Sequence, residues 1–192
     1  MGSQLRAALV LLVALHLLTG LVYPLVVTGL AQAFWPAKAG GSLITVDGKA
    51  RGSALIGQPF SGAGYFWARP SATSPVPYDA SGSSASNLGP TNPALTDAVR
   101  NRVAALRAAD PSVTGPVPAD LVTTSASGLD PDISVAAALY QAPRVARARK
   151  IPEQEMVRLV RAHAQGRTLG LLGEPRVNVL SLNLALDLDV RR

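Results

Sequence analysis

From Ala7 to Ala33 the chain carries no Asp, Glu, Lys or Arg, and Leu, Val and Ala dominate the run. A bilayer core of about 30 Å takes about 20 apolar residues in helical form, so this segment spans it even if it ends near Leu30. Pro24 removes one internal hydrogen bond and predicts a kink, which membrane helices tolerate when neighbouring groups satisfy the freed carbonyl. Gly20 and Gly29, each preceded by Thr, leave small surfaces where another helix can approach closely. Nine positions apart, they fall on opposite sides of an ideal helix at about 100° per residue. Phe34 and Trp35 close the run where an interfacial aromatic anchor belongs. The competing reading is a secretory signal peptide, since Ala31, Gln32 and Ala33 have the small-x-small form of a cleavage site. A signal core of about 7 to 15 residues is half this length, which favours a permanent anchor. The expected organisation is a short tail over residues 1–6, a membrane helix over 7–33 and a single soluble domain over 34–192.

That remainder, roughly 155 residues, is the size of one domain with a proper hydrophobic core. There is no cysteine, so disulfides and thiolate metal sites are excluded. The net charge of +6 is spread along the chain, except for a basic cluster from Arg144 to Lys150, and a basic face towards anionic lipid or an acidic partner subunit accounts for it at least as well as nucleic acid does. Arg6 before the span and Lys38 and Lys49 after it nearly balance, so charge alone does not orient the span.

After the anchor, Ser42 to Val46 reads as a strand, Asp47-Gly48 as a turn, and Arg51 to Ile56 as the second arm of a hairpin. Residues 57 to 89 form a long irregular segment. Its Phe60, Tyr65, Phe66, Trp67 and Tyr78 are five of the chain's nine aromatic side chains, too many for a disordered linker. They either pin this loop onto the core or form a contact surface for a partner. Thr91, Asn92 and Pro93 start a helix whose apolar stripe is Leu95, Val99, Val103 and Leu106 and whose end is Pro111. Asp130 is read as the cap of a second helix carrying Ile133, Ala136, Ala137 and Tyr140 inward, breaking at Pro143 and resuming from Arg144. Pro152 opens a third, with Met156, Val160 and His163 on one face and Gly166 as the stop. From Arg176 to Val190 apolar residues alternate, with a phase change near Leu180 and Ser181, which predicts a long closing strand with a bulge. Hairpin, helices and closing strand predict an α+β domain.

Catalytic signatures are absent: no Walker loop, no G-x-S-x-G elbow and no H-E-x-x-H helix occurs. Of the two histidines, His16 lies in the anchor and His163 on a helix face, where packing explains it, so no metal site is expected. Ser125, Ser127 and Asp130 are the only set resembling a hydrolase constellation, and a hydroxyl-rich loop before a helix cap accounts for them equally. A membrane-anchored hydrolase outside the cytoplasm is the alternative functional reading.

The segments GSALIGQPF, YFWARPSA, SASNLGPTNPAL, PVPADLVTTSASGLDPDIS, ALYQAPRVARAR and GEPRVNVLSLNLALD closely resemble the C subunit of the bacterial Kdp potassium-transporting ATPase. The likeness runs from Ser53 to Asp187, and the single span before it also fits. The resemblance implies a non-catalytic accessory subunit of a high-affinity potassium uptake complex in the bacterial inner membrane, with its soluble domain outside the cytoplasm. It implies two partners, a channel-like A subunit that carries potassium and a P-type B subunit that forms the aspartyl phosphate. It also implies a role in assembly, and a catalytic-chaperone role that raises the B subunit's affinity for ATP. This chain lacks the Asp-Lys-Thr-Gly sequence of a phosphorylated pump, in keeping with a helper. No covalently bound cofactor is expected, and ATP only through the complex. Because ATP binds on the cytoplasmic side, the effect would travel as a coupling free energy between distant sites. If nucleotide is contacted directly, Gln141 and Arg144 are the candidates, as a basic cluster following a polar side chain. The competing reading of that cluster is an Arg-rich helix surface facing solvent or a partner.

Overall fold

The computed structural model describes residues 2–189, in two compact units divided between Arg51 and Gly52. The first is dominated by one apolar helical run, Gly2–Phe34, none of whose residues in the apolar window is buried. A helix belonging to a globular core would be mostly covered. The run consists of α1 (Gly2–Leu17), a π-helical turn (Leu18–Val22) and α2 (Tyr23–Phe34). The π turn is the local answer to Pro24: the Tyr23 N–H reaches the Leu18 carbonyl five residues back, and the helix continues past the proline without a break. A short helix α3 (Pro36–Ala39) follows.

The hairpin forms as β1 (Leu43–Val46) and β2 (Lys49–Ser53). Asp47 at φ 52° and Gly48 at φ 72° supply the two positive angles that a tight hairpin turn needs. The second arm therefore starts two residues earlier than the sequence predicts.

In the second unit, α4 (Pro93–Ala109) starts where the Asn92 side chain accepts from the Ala94 N–H at 2.9 Å. A three-stranded antiparallel sheet has the order β3 (Asp132–Ser134), β5 (Arg176–Asn178), β4 (Ala164–Gln165). Ile133 faces Val177 across it, and both are buried in the core. The helix expected from Asp130 starts later, as α5 (Val135–Arg149), because residues 132–134 pair with β5 instead. Its cap is Ser134, whose Oγ accepts from the Ala137 N–H at 3.0 Å and whose own N–H and Oγ–H donate to Asp120 at 2.7 and 3.1 Å. Pro143 does not break it. Buried residues on both sides of the proline, from Ala137 to Ala146, make α5 the central element of the core, and that packing outweighs one lost hydrogen bond.

α6 (Glu153–Ala162) packs on α5 through Met156 and Val160 and ends at His163, three residues before Gly166. His163 is half-buried, and its Nδ1 lies 3.0 Å from the Leu159 carbonyl.

The closing segment is the main correction. Only Arg176–Asn178 is strand; Val179–Asp189 is a helix, α7, and Val190 lies outside the described residues. Leucine and alanine favour helix, and the buried positions Val179, Leu182, Asn183 and Leu186 follow the i, i+3, i+4, i+7 pattern. The alternating leucines conceal that stripe because one of its members is Asn183. Asn178 starts the helix, its Oδ1 accepting from the Ser181 N–H at 3.0 Å, so what reads as a bulge is a cap.

Candidate functional site

The irregular segment expected between residues 57 and 89 contains no helix or strand and is ordered by side chains of α5, α7 and the Ser-rich loop at 123–130. Phe66 is fully buried in the core, with Phe60 and Trp67 half-buried against it. Two amides hold the backbone on either side of the Phe66–Trp67 peptide. The Phe66 N–H donates to Asn183 Oδ1 and Asn183 Nδ2 donates back to the Phe66 carbonyl, both at 2.9 Å. The Trp67 N–H donates to Gln141 Oε1 at 2.8 Å and Gln141 Nε2 donates to the Trp67 carbonyl at 3.0 Å. These are the two bonds a neighbouring strand would make, supplied by side chains because no strand is present.

Gln141 and Arg144, the nucleotide candidates, are brought together here. Arg144 is buried, donating to the Ala63 carbonyl at 2.7 Å, the Tyr65 carbonyl at 3.1 Å and Gln141 Oε1 at 2.8 Å, with its guanidinium 4.1 Å from the Trp67 ring centroid. Burial lowers its pKa to about 10, with Asp110 acting the other way; it remains a cation at neutral pH. Arg144 is thus turned inward, whereas Arg147 and Lys150 of the same cluster are exposed. Arg149 donates to the Gly64 carbonyl at 2.6 Å and to Asp187 at 2.8 Å, and lies over the Tyr65 ring, whose hydroxyl donates to the same carboxylate at 3.2 Å. Arg147 reaches Asp110, the residue ending α4, at 2.5 Å. Burial alone would raise the Asp110 pKa, but hydrogen bonds from Ser112 and Arg147 outweigh it and hold the carboxyl below its usual range.

Tyr78 belongs to the other end of the loop. Its hydroxyl donates to the Arg69 carbonyl, and Arg69 pairs with Asp130 at 2.9 Å. Burial, then the Asp130 charge, push its pKa up to about 12, partly opposed by Arg69. Gly57 lets this packing close: a Cβ there would collide with the Tyr78 ring and come within 2.7 Å of the Asp130 carbonyl. Asp130 therefore anchors the loop and turns the chain into β3, its Oδ1 accepting from the Asp132 N–H at 3.0 Å. Ser125 and Ser127 accept the Gly128 and Leu129 N–H groups at 3.0 and 3.1 Å. His16 Nδ1 lies 2.9 Å from the Leu12 carbonyl and His163 Nδ1 3.0 Å from the Leu159 carbonyl, so each imidazole is engaged with its own helix rather than with these serines.

Gly20 and Gly29 are exposed on the apolar helix, with nothing within 4 Å of an added Cβ at either. Gly20 sits inside the π turn. Such a turn sets the following helix back by up to one residue's angle, so the two glycines move from about 180° apart towards about 80°.

Sequence reasoning missed Asn183 and Asn178. The signal for Asn183 is a lone uncharged amide within a run of leucines, which marks a buried polar group with assigned partners.

Fold and site define a class: one apolar helix long enough to cross a membrane, joined to an α+β domain whose buried polar side chains fasten a loop. The family described as KdpC, K+-transporting ATPase, c chain, matches residues 5–188. The potassium-transporting ATPase KdpC subunit of Methylibium petroleiphilum is 62% identical over 187 residues, covering 97% of this chain and 98% of that protein. The corresponding subunits of Sorangium cellulosum, 62% identical over 97% of this chain and 98% of that protein, and Variovorax paradoxus, 60% identical over 97% of each, are similarly close. The chain belongs to the KdpC family. It is accordingly a subunit of a potassium-transporting ATPase complex and a single-pass membrane protein.

Proposed function

We propose that this chain is a non-catalytic accessory subunit that assembles with the channel-like A subunit and the P-type B subunit, and raises the B subunit's affinity for ATP from a domain held outside the cytoplasm. The observation that carries the reading is the engagement of Gln141 and Arg144 with the aromatic loop. A guanidinium hydrogen-bonded to carbonyls and stacked on an indole is poorly placed to meet phosphate, which favours action at a distance over nucleotide contact. The half-buried rims of Phe60, Tyr65, Trp67 and Tyr78 are proposed as contact surface, with Phe66 as the internal pin that shapes it. Gly20 and Gly29 are proposed as the contact positions within the membrane.

Affinity purification of the tagged chain from detergent-solubilised membranes tests the reading. Both large pump subunits should accompany it, and protease added to sealed spheroplasts should degrade the part after Pro36. Recovery of the chain alone, or protection of its domain, contradicts the proposal.

A further inference from the structure

The apolar helix carries a single imidazole, that of His16. It lies 10 residues past Arg6 and 18 before Phe34. That is about 15 Å along the helix from the last charge, or mid-depth in a bilayer core of about 30 Å. Thr19, the next polar side chain, turns its hydroxyl back to donate to the Leu15 carbonyl at 2.7 Å, which satisfies it without outside help. His16 spends one nitrogen in the same way, its Nδ1 lying 2.9 Å from the Leu12 carbonyl. A carbonyl can only accept, so Nδ1 carries the proton, and in the neutral ring Nε2 is left as a bare acceptor. Among the described residues nothing meets it. The residue is exposed on the helix surface, and Gly20, four positions on, leaves open space for another backbone beside it.

We infer that His16 Nε2 accepts a hydrogen bond from an N–H or O–H side chain on a membrane-spanning helix of another subunit of the potassium-transporting ATPase, with Gly20 admitting that helix. The inference deepens the membrane contact proposed at Gly20 and rests on the subunit reading above. A polar group held at this depth is costly unless it faces a partner, and the missing half of the bond defines that partner as a donor. Lipid does not supply one, since acyl chains carry no donor and the headgroups lie about 15 Å away. Nor does a second copy of this chain. In a parallel pair the two His16 rings meet at one level and both present acceptors, while the neighbouring Thr19 hydroxyl is already committed to Leu15.

The test compares His16→Phe, which keeps a planar ring without an acceptor, with His16→Gln, whose Oε1 restores one, in the full chain expressed with the pump subunits. Resistance to carbonate extraction checks that both variants insert. At the detergent concentration where half of the parent complex survives, His16→Phe should lower the ratio of assembled to free chain about three- to tenfold, the range of a hydrogen bond between membrane helices. His16→Gln should recover most of that loss. A photoreactive benzoylphenylalanine at Leu12, one turn before His16 on the same face, should crosslink to a pump subunit. An unchanged ratio for His16→Phe, equal losses in both variants, or crosslinks from position 12 only to lipid or to a second copy of this chain, overturns the hydrogen bond while leaving the subunit reading intact. A parent chain that recovers no pump subunit overturns both.

Discussion

Asn183 and Phe66, separated by 117 positions, are joined by two hydrogen bonds of 2.9 Å, the amide of one satisfying both backbone groups of the other. This contact ties α7 to the aromatic loop in the same manner as Gln141 ties α5 to it one residue later. The loop is therefore held at two consecutive residues from two different helices. Its shape depends on the core rather than on its own local sequence.

Replacing Asn183 by Ala leaves a buried N–H and a buried C=O without partners, each costing about 1–3 kcal/mol. Chemical denaturation of the full chain in detergent should show a loss of about 2–5 kcal/mol. Combined with Gln141→Ala the loss should be less than additive, because a loop released from one amide has less to lose at the other. Simple additivity would show that the two amides act independently.

Arg144→Lys keeps the charge but cannot span the acceptors on Ala63, Tyr65 and Gln141, and it forfeits the planar contact with Trp67. The expected outcome is a destabilisation of about 2–4 kcal/mol and a red shift in indole emission as Trp67 meets water. Unchanged stability and emission would mean that the guanidinium does not hold the loop.

Tyr78 gives the loop a pH limit. Its pKa lies above the usual value of 10, at about 12, because burial and then the Asp130 charge disfavour the phenolate. Folding thus favours the neutral form. The associated stability is complete below pH 10 and is lost as pH rises through 10 to 12, where the phenol also ceases to donate to the Arg69 carbonyl. Melting temperatures across this window should fall more steeply for the parent than for Tyr78→Phe, and the variant should lack a tyrosinate absorbance step near pH 12. Parallel curves would refute the assignment.

Local chemistry made much of the fold legible. Asn92-Pro93 starts α4, Asp47-Gly48 turns the hairpin, and the aromatic content of residues 60–78 marks order without regular structure. Misreadings arose where a polar side chain had an internal task. Hydrophobic periodicity treats Asn183 as a solvent position, which makes the leucines from 180 to 188 look like a strand; with Asn183 in the core they form a helix face. Arg144 and Arg149 likewise read as part of a charged surface, because no local pattern reveals carbonyl acceptors some 80 residues away, while Arg147 between them is exposed as that reading expects. Gln141 and Arg144 were visible as a pair, but their geometry follows from tertiary packing alone.

In the membrane helix, the π turn that contains Gly20 sets the following residues back, so Gly20 and Gly29 lie less than 180° apart and nearer one face than a straight helix puts them. Gly20→Leu and Gly29→Leu should each lower recovery of the pump subunits while membrane insertion stays normal, since leucine preserves apolarity but adds bulk. An effect confined to one glycine would restore the straight-helix geometry, and none at all would reduce the helix to a tether.

Photoaffinity labelling with an azido-ATP, together with ATP titration of the purified pump, tests the central claim most directly. With this chain present, half-saturation should move to ATP concentrations lower by about 5–150-fold, the span of typical coupling energies, while label enters the P-type subunit and none enters this chain. Label recovered on the Gln141 to Arg144 segment, or half-saturation unmoved by the chain, would contradict it.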